Sequence, residues 1–293
     1  MNNNNLKKLE NFINFTQKNK SAHWKSYLNS KSDYYKNNSA LGFGAYTTKN
    51  FYKKFFHYIL SRLVFDNYIF FTNTFKKYKN IFNKDNRQID VDAIRHIHTF
   101  ELLQNKISSN KIKKICLIGD GKLNGLIGCF LNFSSSKIYS INLAETLIND
   151  YIILKQMNIY KESDIQIVEN EDDLNKDKKV YLIPSHLKDF FYKKNIDLFI
   201  NIASFQEMEM KEIENYFDII KSNKSLLYCC NRKHKKLPDG KNIFFEKYPW
   251  GKGMKLLLEN CAWHQKFYLF KFPFIKRYDG NIKHCLINYR QIT

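Results

Sequence analysis

The turn at residues 119–121 is the part of this sequence whose residue types and spacing point most clearly to chemistry. The apolar run 115–118 ends at a Gly-Asp-Gly turn, and a helical pattern follows. Glycine adopts backbone angles that are closed to other residues, and because it lacks a Cβ it lets a ligand approach the main chain. A buried strand, a glycine turn and a helix in this order are typical of a cradle for a nucleotide-like cofactor. The candidate contacts in the cradle are Gly119, Asp120, Gly121 and Gly125.

The glycine turn by itself does not select one cofactor. Nicotinamide, flavin and S-adenosylmethionine enzymes share such turns, and a tight strand-to-helix turn without a ligand has the same pattern. Tyr151 and Lys155 form the Tyr-x-x-x-Lys tetrad of short-chain dehydrogenases. The tetrad lies much earlier here than in those enzymes, so we interpret it as coincidental. A nicotinamide-dependent oxidoreductase and a non-catalytic nucleotide-binding module stay as alternatives.

Polar residues also follow the later strands predicted from the sequence. In an open α/β sheet the ligand lies outside the carboxyl ends of the strands, so the loops there concentrate function. Asn142 ends the second predicted strand, where a polar residue is placed to hydrogen-bond ribose hydroxyls. Ser185 and His186 follow the third strand, where contacts to adenine usually fall. The other candidates for a cofactor pocket on these loops are Leu143, Glu145, Asn201 and Ala203.

The first third of the chain has the periodicity of helices. Apolar residues recur at intervals of three and four from Leu6 to about Ser109, and a polar, glycine-bearing loop at 39–48 interrupts them. Asp90 stands at the N-cap position of the last of these helices. We therefore predict an all-helical cap over residues 1–109 that closes over the substrate, with a mobile lid near 42–46.

From residue 110 onward strands alternate with helices, which implies a parallel, doubly wound sheet. The predicted strands are 115–118, 137–143, 180–184, 196–203 and 225–230, and the predicted helices are 123–131, 144–157 and 210–221. Segments 263–270 and 282–289 are predicted to close the sheet as an antiparallel pair. The predicted fold class is therefore α/β, with a Rossmann-like core of the class I methyltransferase type over residues 110–293.

Composition argues against two other classes of protein. A net charge of +20 would attract nucleic acid, but the lysines are spread along the chain and no helix-turn-helix or zinc-finger spacing occurs. An AT-rich genome accounts for the excess of Lys, Asn, Ile, Tyr and Phe. No window of about twenty residues is free of charge, so no membrane span is predicted. The N-terminal residues lack the apolar core of a secretory signal, which predicts a cytoplasmic protein.

Several short motifs follow one another along the chain. They are His-Trp-Lys at 23–25, Asn-Leu-Ala-Glu at 142–145, the loop 201–208, Asn-Arg at 231–232, Tyr-Pro-Trp at 248–250 and Cys-Ala-Trp-His-Gln at 261–265. Together they resemble the family of sugar O-methyltransferases related to the nanchangmycin deoxysugar methyltransferase. The resemblance covers most of the chain and implies S-adenosylmethionine as cofactor and a sugar or nucleotide sugar as substrate. Asn142 replaces the acid of that family, and Ala144 replaces its proline.

Methyl transfer to a hydroxyl requires alignment of donor and acceptor and removal of the hydroxyl proton. Glu207, in the loop after the fourth strand, is the first candidate for the general base, because desolvation in a cleft raises the pKa of a carboxylate. A helix cap or a contact to the polar end of the cofactor is the alternative for this residue. His264 is the second candidate base, and a buried structural histidine is its alternative.

Two cations, two tryptophans and one glutamine are candidates for binding the acceptor. An activated sugar carries a diphosphate, which Arg232 and Lys235 would hold by charge-assisted hydrogen bonds unless they belong to a solvated surface run. Trp250 and Trp263 offer flat faces that stack on sugar rings, with core packing as the alternative. Gln206, beside the candidate base, completes the set.

Nothing in the sequence has the spacing of a metal site. The six cysteines form no Cys-x-x-Cys pair, and four lie in apolar runs, which predicts reduced thiols in the core. His96 and His98 lie two residues apart on a helix and so face different sides. No metal site is predicted, and a divalent cation is not indicated, although Asp197, Glu207 and Glu209 would supply oxygen ligands.

Overall fold

The computed structural model describes residues 4–16, 20–22, 24–25, 51–84, 87–121, 123–269, 271–278 and 280–290. The predicted lid at 42–46 and the motif residue His23 lie outside these described residues. Their α-helices are α1 (Asn4–Asn11), α2 (Ile13–Thr16), α3 (Phe51–Val64), α4 (Asn73–Lys84), α5 (Val91–Lys106), α6 (Asn124–Asn132), α7 (Ala144–Met157) and α8 (Met210–Ser222). None of these helices combines the length and the apolar character that crossing a bilayer requires.

Helix α5 begins where the sequence predicts. The carboxylate of Asp90 accepts a hydrogen bond of 2.8 Å from the backbone N–H of Ala93, which satisfies one of the free N–H groups of the first turn. The helix then packs directly on α6, because a Cβ at Gly128 would lie 1.9 Å from the ring of Phe100. This close approach lets α5 bring its exposed face to one end of the central sheet.

A mixed sheet organises the second part of the chain. Its strands are β1 (Lys114–Ile118), β2 (Lys137–Asn142), β3 (Ile165–Ile167), β4 (Val180–Pro184), β5 (Leu198–Ile202), β6 (Leu226–Arg232), β9 (Met254–Asn260) and β12 (Ile282–Asn288). Across the described residues they lie in the order β3-β4-β2-β1-β5-β6-β12-β9. Two small hairpins pair β7 (His234–Lys236) with β8 (Asn242–Phe244), and β10 (Lys266–Tyr268) with β11 (Ile275–Arg277).

The strand directions confirm the predicted fold class. Every neighbouring pair from β3 to β6 is parallel, whereas β12 is antiparallel to both β6 and β9. The antiparallel strand β12 lies between β6 and β9 in an otherwise parallel, doubly wound sheet. This is the topology of the Rossmann-like class I methyltransferase core. The core strands are buried on both faces, as continuous apolar runs predict.

The predicted pairing of the last strands is wrong in one respect. Strand β12 pairs with β6 and β9, whereas 263–270 contributes only the short β10 to a separate hairpin. The reason is the turn after β9: the side-chain amide of Gln265 donates to the backbone carbonyls of Cys261 and Ile282, so the chain leaves the sheet there. Most residues of β9 are exposed at the sheet edge, and a mainly exposed strand lacks the buried pattern that sequence analysis detects.

Two apolar clusters sandwich the sheet. One contains residues of α4, α5, α6 and α7, and the other contains residues of α8 and of the segment 237–250. Residues on both sides of position 109 therefore share one core, which holds the helices of the first part of the chain against the sheet. Cys229 and Cys230 enter opposite clusters, and all six cysteines are buried, as the sequence predicts.

Candidate active site

A cleft of about 350 Å³ opens at the carboxyl ends of β1, β5 and β6. Its volume lies within the range of about 300–1,000 Å³ that is typical of small-molecule sites. The described residues that line it come from the glycine turn, the loop after β5, the end of β6 and one face of α5, together with Trp24, His264 and Tyr278. The cleft therefore lies where an open α/β sheet binds its ligand.

Gly119 and Gly121 have different roles in the turn. Gly119 has φ +75°, and a Cβ there would lie 1.9 Å from the Oγ of Ser204, so only glycine fits between the two loops. A Cβ at Gly121, in contrast, would meet no atom within 4 Å. Gly119 thus closes the turn against the protein, and Gly121 leaves its backbone open to the cleft.

Asp120 organises the start of α6. Its Oδ2 accepts a hydrogen bond of 2.7 Å from the backbone N–H of Leu126 and lies 3.0 Å from where a Cβ of Gly125 would be. Asp120 and Gly125 line the cleft as the sequence predicts, but the carboxylate is engaged with the helix N-terminus. A negative charge is favourable there, because the helix dipole places partial positive charge at that end.

Asn142 connects the loop after β2 to the glycine turn. Its Nδ2 donates to the carbonyl of Asp120 at 3.3 Å, and its Oδ1 accepts from the N–H of Leu143 at 2.9 Å. Asn142, Leu143 and Ser185 line a small cavity of about 30 Å³ beside the cleft. Trp24 contributes to both spaces. Asn142, Leu143 and Ser185, which the sequence assigns to a cofactor pocket, therefore lie together in this small cavity beside the cleft.

Glu145 and His186 contact the N-terminal segment instead. The carboxylate of Glu145 forms an ion pair with Lys20, and both side chains are buried. Because an unpaired buried charge is costly, the pair fastens this segment to α7. His186 packs against the rings of Phe12 and Phe15, with centroid distances of 5.2 and 5.5 Å.

Buried amides shape the loop after β5. Asn201 is fully buried behind the cleft wall, where its Nδ2 donates to the carbonyl of Ile118 and its Oδ1 accepts from the Nδ2 of Asn231 at 2.8 Å. The backbone N–H of Gln206 donates to Asn231, and its side chain accepts from the N–H of Arg232 at 2.7 Å. Ala203 lines the cleft. The amide network therefore fixes the backbone from which Glu207 projects.

Glu207 lines the same cleft as the glycine turn. Burial raises the pKa of its carboxyl to about 7, against the opposing positive charges of Lys235 and Arg232. Burial likewise lowers the pKa of the Lys235 ammonium, with a further contribution from Arg232. A carboxyl with a pKa near neutrality is suited to accept a proton. Arg232 lines the cleft, whereas Lys235 is close enough to act on the charge of Glu207 but is not among the residues that line it.

His264 also lines the cleft, with 4 % of its surface exposed. Within the described part of the chain its Nε2 has no hydrogen-bond partner. Burial, and then the charges of Arg95 and His96, hold the pKa of this imidazole well below its usual range. The ring is therefore neutral at physiological pH.

Tyr278 and α5 supply cleft residues that sequence analysis does not single out. The ring of Tyr278 lies beneath two guanidinium groups, with the Cζ atoms of Arg232 and Arg95 at 5.0 and 4.9 Å from its centroid. Arg95 donates to Asp92 at 2.9 Å and, with Asp92 and His96, forms one face of α5. The spacing of three and four residues between Asp92, Arg95 and His96 is the signal that would have indicated this face.

The two candidate tryptophans pack elsewhere. Trp250 donates from its indole N–H to the carbonyl of Phe245 at 3.0 Å and lies against the ring of Phe217 on the far side of the sheet. Trp263 stacks on His98 with a centroid distance of 5.3 Å and an interplanar angle of 8°. Both contacts are those of core packing, the alternative that the sequence left open.

The Tyr-x-x-x-Lys tetrad also lies away from the cleft. The Tyr151 hydroxyl donates to the carboxylate of Glu162 at 2.7 Å, and Lys155 forms an ion pair with the same carboxylate. Both functional groups therefore bind a neighbouring acid on the outer side of α7, which agrees with the interpretation that the tetrad is coincidental.

No protein-family profile matches the sequence, and no curated protein matches it. Among solved structures, the cyclopropane synthase MmaA2 from Mycobacterium tuberculosis is similar with a TM-score of 0.44 and 8% identity, over 66% of this chain and 83% of that chain. The methyltransferase domain of a bacterial Hen1, CtHen1-CN, is similar with a TM-score of 0.41 and 11% identity, over 68% of this chain and 100% of that chain. M. capricolum TrmK, solved with S-adenosyl-homocysteine, is similar with a TM-score of 0.36 and 13% identity, over 65% of this chain and 67% of that chain. These TM-scores lie below 0.5, so the strand order, rather than these similarities, identifies the fold.

Proposed function

We propose that this protein is an S-adenosylmethionine-dependent O-methyltransferase that acts on a sugar hydroxyl, in a nucleotide sugar, a glycan or a glycosylated metabolite. The observation that carries the proposal is the position of Glu207, a carboxyl with a pKa near 7 that lines the same cleft as the glycine turn. A glycine turn of the cradle type and a group able to accept a proton thus border one cleft, as transfer to a hydroxyl requires.

The cradle end of the cleft fits a nucleoside-type cofactor. The backbone at Gly121 is open, and the turn is held by the close contact between Gly119 and Ser204. The amide of Asn142 uses one donor and one acceptor site on the protein, so a second of each is left for ribose hydroxyls. Leu143 and Ser185 would border the base. When bound there, S-adenosylmethionine supplies an electrophilic methyl group.

The part of the cleft around Glu207 would supply the groups that an acceptor hydroxyl needs. At a pKa of about 7, roughly half of the Glu207 side chains are ionised at neutral pH, which is the range in which a general base is most effective. Accepting the hydroxyl proton would neutralise a carboxylate that burial already disfavours in its charged form. The buried amides Gln206 and Asn231 hold the backbone of the loop that carries Glu207.

A sugar acceptor is supported by two features. The sequence motifs resemble those of sugar O-methyltransferases, and Arg232 and Lys235 add positive charge beside Glu207. A guanidinium and an ammonium at this position would bind the diphosphate of a nucleotide sugar through charge-assisted hydrogen bonds. The flat ring of Tyr278, between Arg232 and Arg95, would bound the same end.

The test is methyl transfer from donor with an isotopically labelled methyl group. The acceptor panel contains nucleotide sugars, free sugars and glycosylated small molecules, with non-sugar phenols and amines for comparison, and mass spectrometry locates the label. We expect label on a sugar hydroxyl. Label found solely on phenols or amines would contradict the sugar assignment, and the absence of transfer to every acceptor, despite donor binding, would contradict the catalytic one.

A further inference from the structure

Three metal-ligating side chains lie together beside the cleft: Cys230, Cys261 and His264, which we call the Cys2His cluster. Their ligand atoms, two Sγ atoms and one ring nitrogen, all lie within 4.8 Å of one another. The two cysteines are fully buried, and His264 is 4 % exposed where it lines the cleft. Sequence spacing hides the cluster, because one cysteine comes from β6 and the other two residues follow β9.

The main chain holds the three residues in place before any ligand binds. The N–H of Cys261 donates to the carbonyl of Ile282 at 2.8 Å, and the N–H of His264 donates to the carbonyl of Cys261 at 3.1 Å. The Gln265 amide fastens the same turn to β12. In a single 3₁₀ turn, residues three apart lie on the same side, so Cys261 and His264 face Cys230 together.

Two observations point to a ligand within this cluster. The first is the buried Nε2 of His264, which has no hydrogen-bond partner within the described residues; leaving such a group unpaired is costly. The second is the donor set itself, since thiolates and a neutral imidazole are the ligands that zinc and similar soft ions prefer. Two thiolates would also cancel the charge of a divalent ion, so the occupied site would be neutral despite its burial.

We propose that Cys230, Cys261 and His264 form a binding site for one divalent transition metal ion of the zinc class. Three protein ligands are the number found in zinc sites that keep an open position, whereas closed structural sites have four. His264 is the one of the three ligands that borders the cleft. This ligand role for His264 stands independently of the methyltransferase proposal and takes the place of its general-base role.

Cobalt substitution is the most direct test of the cluster. The full chain is purified with a phosphine reductant, stripped of metal with a chelator, and titrated with Co²⁺, whose absorption reports thiolate ligation and four-coordinate geometry. We expect thiolate-to-cobalt charge-transfer bands that saturate at one ion per chain and disappear when Zn²⁺ is added. A titration with no charge-transfer band, in protein whose thiols are all free, would overturn the proposal.

Variants then assign the ligands. Cys261→Ser and His264→Gln should each weaken Co²⁺ binding by at least about 100-fold, because even the hydrogen-bond partners of metal ligands are worth about 10–100-fold in affinity. Cys229→Ser is the matched control, since Cys229 is the next residue of the same strand, equally buried but on the opposite face of the sheet. Circular dichroism verifies that each variant is folded. Equal Co²⁺ affinity in all three variants, or a Cys230–Cys261 disulfide in protein purified without reductant that holds no metal, would contradict the site.

Discussion

The two ends of the cleft are built in different ways. At the cradle end the backbone of Gly119 and Gly121 forms the surface, and the polar side chains Asp120 and Asn142 are already hydrogen-bonded to the protein. Around Glu207 and His264 the surface consists of side chains, and burial shifts the pKa of both groups toward their neutral forms. The comparison separates a part of the cleft formed by backbone from a part formed by titratable side chains, and we propose that the first binds the cofactor and the second takes part in the reaction.

The largest expected effect is on the reactive end. Glu207→Gln keeps the size of the side chain but removes its ability to accept a proton, so we expect kcat to fall by about 10²–10⁴-fold. Binding of the donor should fall much less than kcat, because glutamine keeps the size and polarity of the side chain. Steady-state kinetics on an acceptor found in the labelled-methyl screen, together with donor titration, measures both. A variant that turns over at the wild-type rate would remove Glu207 from the reaction.

The pH dependence should report the same carboxyl. Because the base acts in its ionised form and the pKa of Glu207 is about 7, kcat should be level above pH 8 and fall about tenfold per unit below pH 6. His264, with its pKa well below the usual range, stays neutral across this window. In Glu207→Gln the acid limb should vanish. A limb that persists unchanged in this variant would assign the ionisation to another group.

At the cradle end the expected effect is on stability. Gly119→Ala places a Cβ against Ser204 in a left-handed conformation, and we expect it to lower the free energy of unfolding by about 2–4 kcal/mol. Gly121→Ala is the matched control and should change it by less than about 0.5 kcal/mol, since its Cβ meets no atom. Urea denaturation measures both. Equal free energies of unfolding for Gly119→Ala and Gly121→Ala would show that the close contact between Gly119 and Ser204 does not hold the turn.

The smallest predicted effect lies outside both ends. Asp90→Ala removes the N-cap of α5, which should cost about 1 kcal/mol of stability without altering ligand binding. Asp90→Asn keeps a side-chain acceptor and serves as control. A tenfold loss of acceptor binding in Asp90→Ala would contradict this prediction. It would mean that the start of α5 also determines how Asp92, Arg95 and His96 contact the acceptor.

The sequence predicted the cradle end better than the reactive end for a physical reason. Gly119, Gly121 and Asn142 act through local backbone geometry, and strand–turn–helix patterns are visible within a few residues of sequence. The position of Glu207 in the cleft was predictable because the residue follows a buried strand. The ion pair of Lys20 and Glu145, which lies outside the cleft, was not predictable, because the two residues are 125 positions apart in the chain.

The other features that were not predicted from the sequence depend on tertiary contacts. The Cys2His cluster and the ring of Tyr278 under two arginines each join segments that are distant in sequence, so no spacing rule reveals them. Strand β9 was missed because an edge strand with exposed residues lacks the pattern of a buried one. The candidate stacking roles of Trp250 and Trp263 depended on residue type alone, and residue type does not distinguish a ligand surface from a core contact.

Calorimetric titration of the glycine turn tests the central claim most directly. Wild type, Gly121→Asp and Gly121→Ala are each titrated with S-adenosylmethionine, S-adenosylhomocysteine and NADH. The aspartate would project charge into the open space of the cleft, whereas alanine adds one methyl group that meets no atom. We expect the wild type to bind both methionine derivatives, the alanine variant to bind them more weakly, because its methyl group occupies space next to the main chain, and the aspartate variant to bind neither. Binding of NADH alone, or equal binding of the methionine derivatives by the aspartate variant, would contradict the account.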